Sequence, residues 1–172
     1  YGGALAVYQN GEFESALRTL HAIVEDLESL PETADGYSQW TRAQLRLAHA
    51  ALTIARDAEA EEAFYAVART DVTVAADPDQ YSPTYRRRFD AIRAKVRAMP
   101  ARRLTVGAEG REGTVFVNGR AMGTTPLALW LAPGTYRIGG ASDDLRVPSF
   151  AIDLRSEDRS VVLDFALAEA PA

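Results

Sequence analysis

Cysteine is absent from the 172-residue chain, which excludes disulfides and every thiolate zinc site. Histidine is nearly absent: only His21 and His49 occur, both in stretches of helical pattern. A catalytic zinc normally takes three protein ligands, and His21 with Glu25 four residues on makes one pair at most. We therefore expect no metal and no cofactor. Lys95 is the only lysine, a bias that reads as genome composition because arginine supplies the other basic residues. No apolar run approaches the length needed to cross a bilayer. Any membrane association is expected only through a segment outside this chain. It begins at Tyr1, not Met, so a processed or partial chain is expected, with any signal peptide or lipid anchor outside these residues.

Excess positive charge is missing as well. The net charge is -5, with 11 basic and 15 acidic residues up to Pro100 and 8 basic and 9 acidic after it. Nucleic-acid binding needs a basic face to displace counterions, so neither half suits it. Acidic pairs occur at Glu25-Asp26, Glu61-Glu62, Asp143-Asp144 and Glu157-Asp158. Acid-base catalysis requires carboxyls that converge in a cleft with separated pKa values, and adjacency in sequence does not supply this. Ser15, Ser82 and Ser142 lack the strand-turn-helix setting of a nucleophile elbow. The "GTTPL" stretch leads from one strand pattern into another, so no helix N-terminus follows to hold a phosphate. These observations point away from an enzyme.

What is present is a change of period near Met99-Pro100. A hydrophobic fraction of 47% allows a core on each side, giving expected domains 1–100 and 101–172. Across the first part apolar residues recur at helical spacing. Asn10-Gly11 in "QNGEF" predicts a stop between two helices that fold back as a pair. Residues 40–56 and 58–69 predict a second pair. "ESAL" at 14–17 and "EEAF" at 61–64 place Ala16 and Ala63 at equivalent points of close helix approach. A last helix is expected after Ser82 as N-cap and Pro83 in the first turn. Tyr85, Phe89, Ile92 and Val96 would share its buried face. "YQNGEFESAL" and "AEAEEAF" resemble the tetratricopeptide repeat family. That resemblance implies a partner-binding helical scaffold with no catalytic residues.

Beyond Pro100 the period is two, and short strands are expected at "RRLTVGA", "TVFV", "GRAM", "LALWL", "TYRIGG", "FAIDL" and "SVVLDFAL". Asn118-Gly119 suits a two-residue hairpin turn, because both positions favour positive φ. Pro133-Gly134 and "SEDR" at 156–159 mark later turns. Together the two parts predict an α+β chain in segregated halves, an all-α helical-hairpin part and a small antiparallel β-sandwich. Residues 115–138, "VFVNGRAMGTTPLALWLAPGTYRI", resemble the PEGA domain, a β module of bacterial surface and envelope proteins. The match covers about residues 102–167. Its strongest positions are Gly119, Gly123, Thr125, Pro126, Leu127, Pro133 and Gly134, with Asn118 in the first turn. The resemblance implies a non-enzymatic module of the cell envelope, periplasmic or outer-membrane associated, of the kind found in lipoproteins.

Four side chains stand out as partner contacts. In "LALWL" the alternation turns Leu127, Leu129 and Leu131 one way and Ala128 and Trp130 the other. An outward tryptophan either packs within the chain, the favoured expectation, or anchors a partner, and Phe116 would share its face. Arg86 and Arg87 belong to an "RRR" run that fans around a helix, with Asp90 expected to neutralise Arg86 in part. The functional expectation is a scaffold or adaptor that binds a protein partner in the envelope. The alternative is a carbohydrate or cell-wall binding module using exposed aromatics.

Overall fold

A computed structural model describes residues 2–29, 34–143 and 145–166, with side chains described at 12–28, 35–143 and 145–166. Four helices come first: α1 (Gly2–Ser29), α2 (Ala34–Thr53), α3 (Asp57–Thr70) and α4 (Pro83–Ala98). Seven strands follow: β1 (Arg102–Glu109), β2 (Thr114–Val117), β3 (Arg120–Thr124), β4 (Leu127–Leu131), β5 (Thr135–Ser142), β6 (Leu145–Asp153) and β7 (Arg159–Asp164). The chain divides into two compact units. One comprises Tyr1–Asp26 and Trp40–Val96; the other comprises Leu27–Gln39 and Arg97–Ala172.

In the helical unit, α1 runs unbroken through Asn10-Gly11, where a stop was expected. An interior glycine costs only about 1 kcal/mol relative to alanine. Alanine, leucine and glutamate on either side sustain propagation at one hydrogen bond per residue, so the local stop signal loses. The first expected helical pair is thus a single helix. The two alanines matched in the sequence differ in burial: Ala63 is buried, whereas Ala16 is exposed and its neighbour Leu17 is buried instead. A second difference is that α2 starts at Ala34, ahead of Trp40, with Asp35 in its first turn where an acid favours the helix dipole. It closes at Ala55, whose φ of 60° is left-handed, with the Arg56 N–H donating to the Ala51 carbonyl at 2.8 Å.

The last helix follows its sequence closely. The Ser82 hydroxyl accepts the Tyr85 N–H at 3.3 Å, and Tyr85, Phe89, Ile92 and Val96 are all buried. Phe64 of α3 lies 5.0 Å from the Tyr85 ring and 5.1 Å from Phe89, centroid to centroid. The Tyr85 hydroxyl donates to the Leu45 carbonyl of α2 at 2.6 Å. Burial pushes its pKa above the usual phenol range, which keeps the donating proton in place.

In the second unit the strands form two sheets, ordered β4-β1-β7 and β3-β2-β5-β6. The expectation of a purely antiparallel β part is corrected here, because β1 and β7 pair in parallel. They are the first and last strands, so no hairpin dictates their relative direction, and the long intervening chain serves as the crossover a parallel pair requires. Both sheets feed one core, with Leu104, Val106, Leu131 and Leu163 from the first and Val115, Val117, Tyr136, Ile138 and Ile152 from the second. Gly140 of β5 makes room for that meeting: a Cβ there would lie 2.6 Å from Leu163 Cδ1. The Ser149 hydroxyl of β6 donates to the Glu28 carbonyl at 3.1 Å, a contact inside this same unit.

The turn residues act as turns. Asn118 and Gly119 take φ of 47° and 82°, and the Asn118 side-chain oxygen accepts the Arg137 N–H at 2.8 Å. Gly123 has φ of 143°, and the Thr125 hydroxyl accepts the Gly113 N–H at 3.1 Å ahead of the cis Thr125-Pro126 peptide. After Pro133, the Gly134 carbonyl accepts the Leu154 N–H at 2.8 Å.

Past β6, Asp153 accepts the Arg155 N–H at 2.8 Å and the guanidinium at 2.6 Å. These bonds, the guanidinium's first, hold its carboxyl down at about 2, against an ordinary 3.8. The folded value lies below the unfolded one, so this turn's contribution is complete above 3.8 and is lost as pH falls through about 2. An NMR titration should place the Asp153 midpoint near 2, and Arg155→Ala should move it up toward 3.8. An unchanged midpoint in the variant would refute this origin.

Candidate functional site

Strand β1 is the middle strand of the first sheet, and its alternation sets the chemistry of two faces. Leu104 and Val106 point into the core, so Arg103, Thr105 and Gly107 face outward. The register places Trp130 opposite Arg103 and Ala128 opposite Thr105 on one side of β1. On its other side Ser160 pairs with Thr105 and Val162 with Gly107. The outer face therefore carries Trp130, Ala128, Arg103, Thr105, Ser160 and Val162. Trp130 is 66% exposed and Val162 is 54% exposed, so two large apolar side chains are left in water on one small face.

This arrangement revises two expectations. An indole covered within the chain was favoured, but 66% exposure leaves most of it in solvent. Phe116 does not share its face: it lies on β2, in the other sheet, opposite Ala121 and Gly139, and is half-buried. Alternation along a strand tells odd from even positions, but which sheet a strand joins is settled by pairing far along the chain.

Arg86 and Arg87 do not act together. Arg86 is half-buried, with its Nε out of solvent and without a hydrogen-bond partner among the described residues. Arg87 is exposed and donates to the Thr84 hydroxyl at 3.3 Å. Asp90, expected to neutralise Arg86, instead pairs with Arg93 at 2.7 Å, one position closer along the helix. The third arginine of the run, Arg88, reaches Asp57 of α3 at 2.6 Å. Arg88 also lines a depression of about 170 Å³ with Leu52, Phe64, Ile92, Lys95 and Glu61. Sequence reading missed this depression, because its lining comes from three helices; only the i, i+3, i+7 spacing of Arg88, Ala91 and Lys95 hinted at it.

The ionisable groups that do meet form surface pairs. His21 bonds Glu59 of α3, and Arg56 joins Glu59 to Glu14 at 3.5 and 2.6 Å. Such exposed pairs are screened by solvent and contribute little to stability. His49 packs its ring 5.8 Å from Tyr85 and 6.0 Å from Tyr81. Among the described residues no three His, Asp or Glu side chains group as metal ligands, and no helix is long and apolar enough to cross a membrane. A wider open depression, about 470 Å³, lies beside Arg111, Gly110, Thr125 and Pro126. Its Thr125 hydroxyl is engaged by Gly113 and its Arg111 reaches Asp143 at 3.4 Å. Set against protein-family models, curated proteins and solved structures, the chain matches none.

Proposed function

We propose that the chain is a non-enzymatic scaffold or adaptor of the bacterial cell envelope. Its helical part would serve as a tetratricopeptide-like platform and its β part as a PEGA-like sandwich that docks a protein partner. The carrying observation is the outer face of the first sheet, where Trp130 stands 66% exposed beside Ala128 and Arg103. Exposed tryptophan and arginine are the residue types that most often dominate binding energy at protein interfaces. Two sheets meeting in one core support the sandwich reading, and the "VNG", "GTTP" and "APG" turns support the PEGA reading and with it the envelope location. The depression beside Arg88 and Lys95 offers the helical part a second, smaller contact.

Crosslinking mass spectrometry in the native cells, with membrane and soluble fractions kept apart, tests this. We expect recurrent crosslinks from the sheet face to one envelope protein, reduced at least tenfold by Trp130→Ala, since a hot-spot residue is worth about 2 kcal/mol or more. Unfolding of the variant should be unchanged, because the indole is outside the core. Crosslinks that ignore the substitution would remove the proposed role of Trp130. A second reading, glycan binding, is favoured by the polar Arg103 and Thr105 next to the indole, although among the described residues no second aromatic joins the face. Retention of the chain in a polysaccharide fraction with no protein crosslink would replace the adaptor by that reading.

A further inference from the structure

The two sheets end in four edge strands: β4 and β7 in one, β3 and β6 in the other. An edge exposes unpaired N–H and C=O groups, and proteins deter pairing there with charges, prolines and irregular backbone. Three of these edges carry such devices. β3 has Arg120 and the positive-φ Gly123; β6 has Arg146, Pro148 and Asp153; β7 has Arg159 and Asp164. Strand β4 is Leu127, Ala128, Leu129, Trp130, Leu131, with no charge, proline or glycine. Among the described residues its only strand partner is β1.

We propose that β4 pairs with β4 of a second copy of this chain, antiparallel about Leu129, joining two three-stranded sheets into one of six. The inference rests on reading the Trp130 face as a binding surface, and it names the occupant. The strand is nearly a palindrome, which suits a twofold axis. With Leu129 opposite its own counterpart, Leu127 lies opposite Leu131, and the inward leucines continue as one apolar row. On the outer face each Trp130 lies opposite Ala128 of the second copy, so a large side chain meets a small one twice without a clash. No charge opposes a charge, because the strand has none. Register is selected too. Pro126 and Pro133 bound the strand, and sliding either way by two residues would leave three of its five residues paired.

The test uses the 172-residue chain and its lack of cysteine. Sedimentation should give a mass that rises with concentration from one chain to two. Trp130→Asp should weaken the dimer at least tenfold while circular dichroism stays unchanged, since the position is outside the core. For register, A128C and W130C chains are mixed under mild oxidation; directly opposed cross-strand positions are the pairs within disulfide reach. Disulfides should form between the two unlike variants well ahead of either variant with itself. A chain that stays monomeric, a dimer indifferent to W130D, or equal crosslinking in all combinations overturns self-pairing. A monomer whose Trp130 face still crosslinks one envelope protein overturns self-pairing alone and leaves the adaptor reading standing. A β4 dimer that captures no other protein does the reverse.

Discussion

Phe89→Ala should lower the stability of the helical unit by about 3–5 kcal/mol, the range for removing a fully buried aromatic from a packed core. Phe89 is 0% exposed and its ring packs at a tilt against Phe64, itself 1% exposed. Phe64 in turn meets Tyr85, which is tied to α2 through the Leu45 carbonyl. Truncation thus opens a cavity where α2, α3 and α4 meet, and surface relaxation has little room to fill it. Arg93 also passes 5.9 Å above the same ring, and that contact is lost with it. Trp40, 4% exposed in α2, reports on this unit by fluorescence during denaturant unfolding. A loss of only about 1 kcal/mol would mean that the three helices are not organised around this ring.

Gly113→Ala should destabilise the β unit by about 3 kcal/mol although it adds one methyl group. A Cβ at Gly113 would lie 2.4 Å from Phe165 Cζ and 2.7 Å from the Ala141 carbonyl oxygen. Neither neighbour can yield easily. Phe165 is 2% exposed in the core, and the Ala141 oxygen belongs to β5 where it pairs with β2 and β6. The glycine is itself clamped, donating to the Thr125 hydroxyl at 3.1 Å and accepting the Thr125 N–H at 2.9 Å. Gly107→Ala is the control: the atom nearest its added Cβ is Val162 Cγ2 at 3.8 Å, an ordinary contact on the outer face. That change should be neutral, or stabilising by less than about 1 kcal/mol through a stiffer unfolded chain. Equal losses in the two variants would show that the crowding at Gly113 is relieved by a backbone shift.

Legibility in the sequence followed the range of the interactions. Asn118-Gly119 needed only its own two residues to declare a hairpin, since positive φ is a local property. Helix α4 was declared by a cap, a proline and four apolar side chains within fifteen positions. Asn10-Gly11 misled because its cost of about 1 kcal/mol per residue is real but small beside the cooperativity of a long helix. Ala16 and Ala63 part for a different reason: similar local strings sit on an open face in one helix and a covered face in another. For the candidate site, alternation in "LALWL" turned Trp130 outward correctly, and the missing charges that leave β4 unguarded are also in the string. Their meaning appears only once β4 is known to be an edge.

By itself the sequence determined the segregation of helices from strands, the existence of the seven strands, though only the last four residues of β6, and most of the turns between them. Each is settled by periodicity and by backbone preferences that act over a few residues. Tertiary structure alone decided which strands share a sheet, that β1 and β7 run parallel, that Phe116 and Trp130 part company, and that the indole stays in water. Those outcomes depend on burial and hydrogen bonding between residues about fifty-five positions apart in β1 and β7, and no local pattern encodes such pairings.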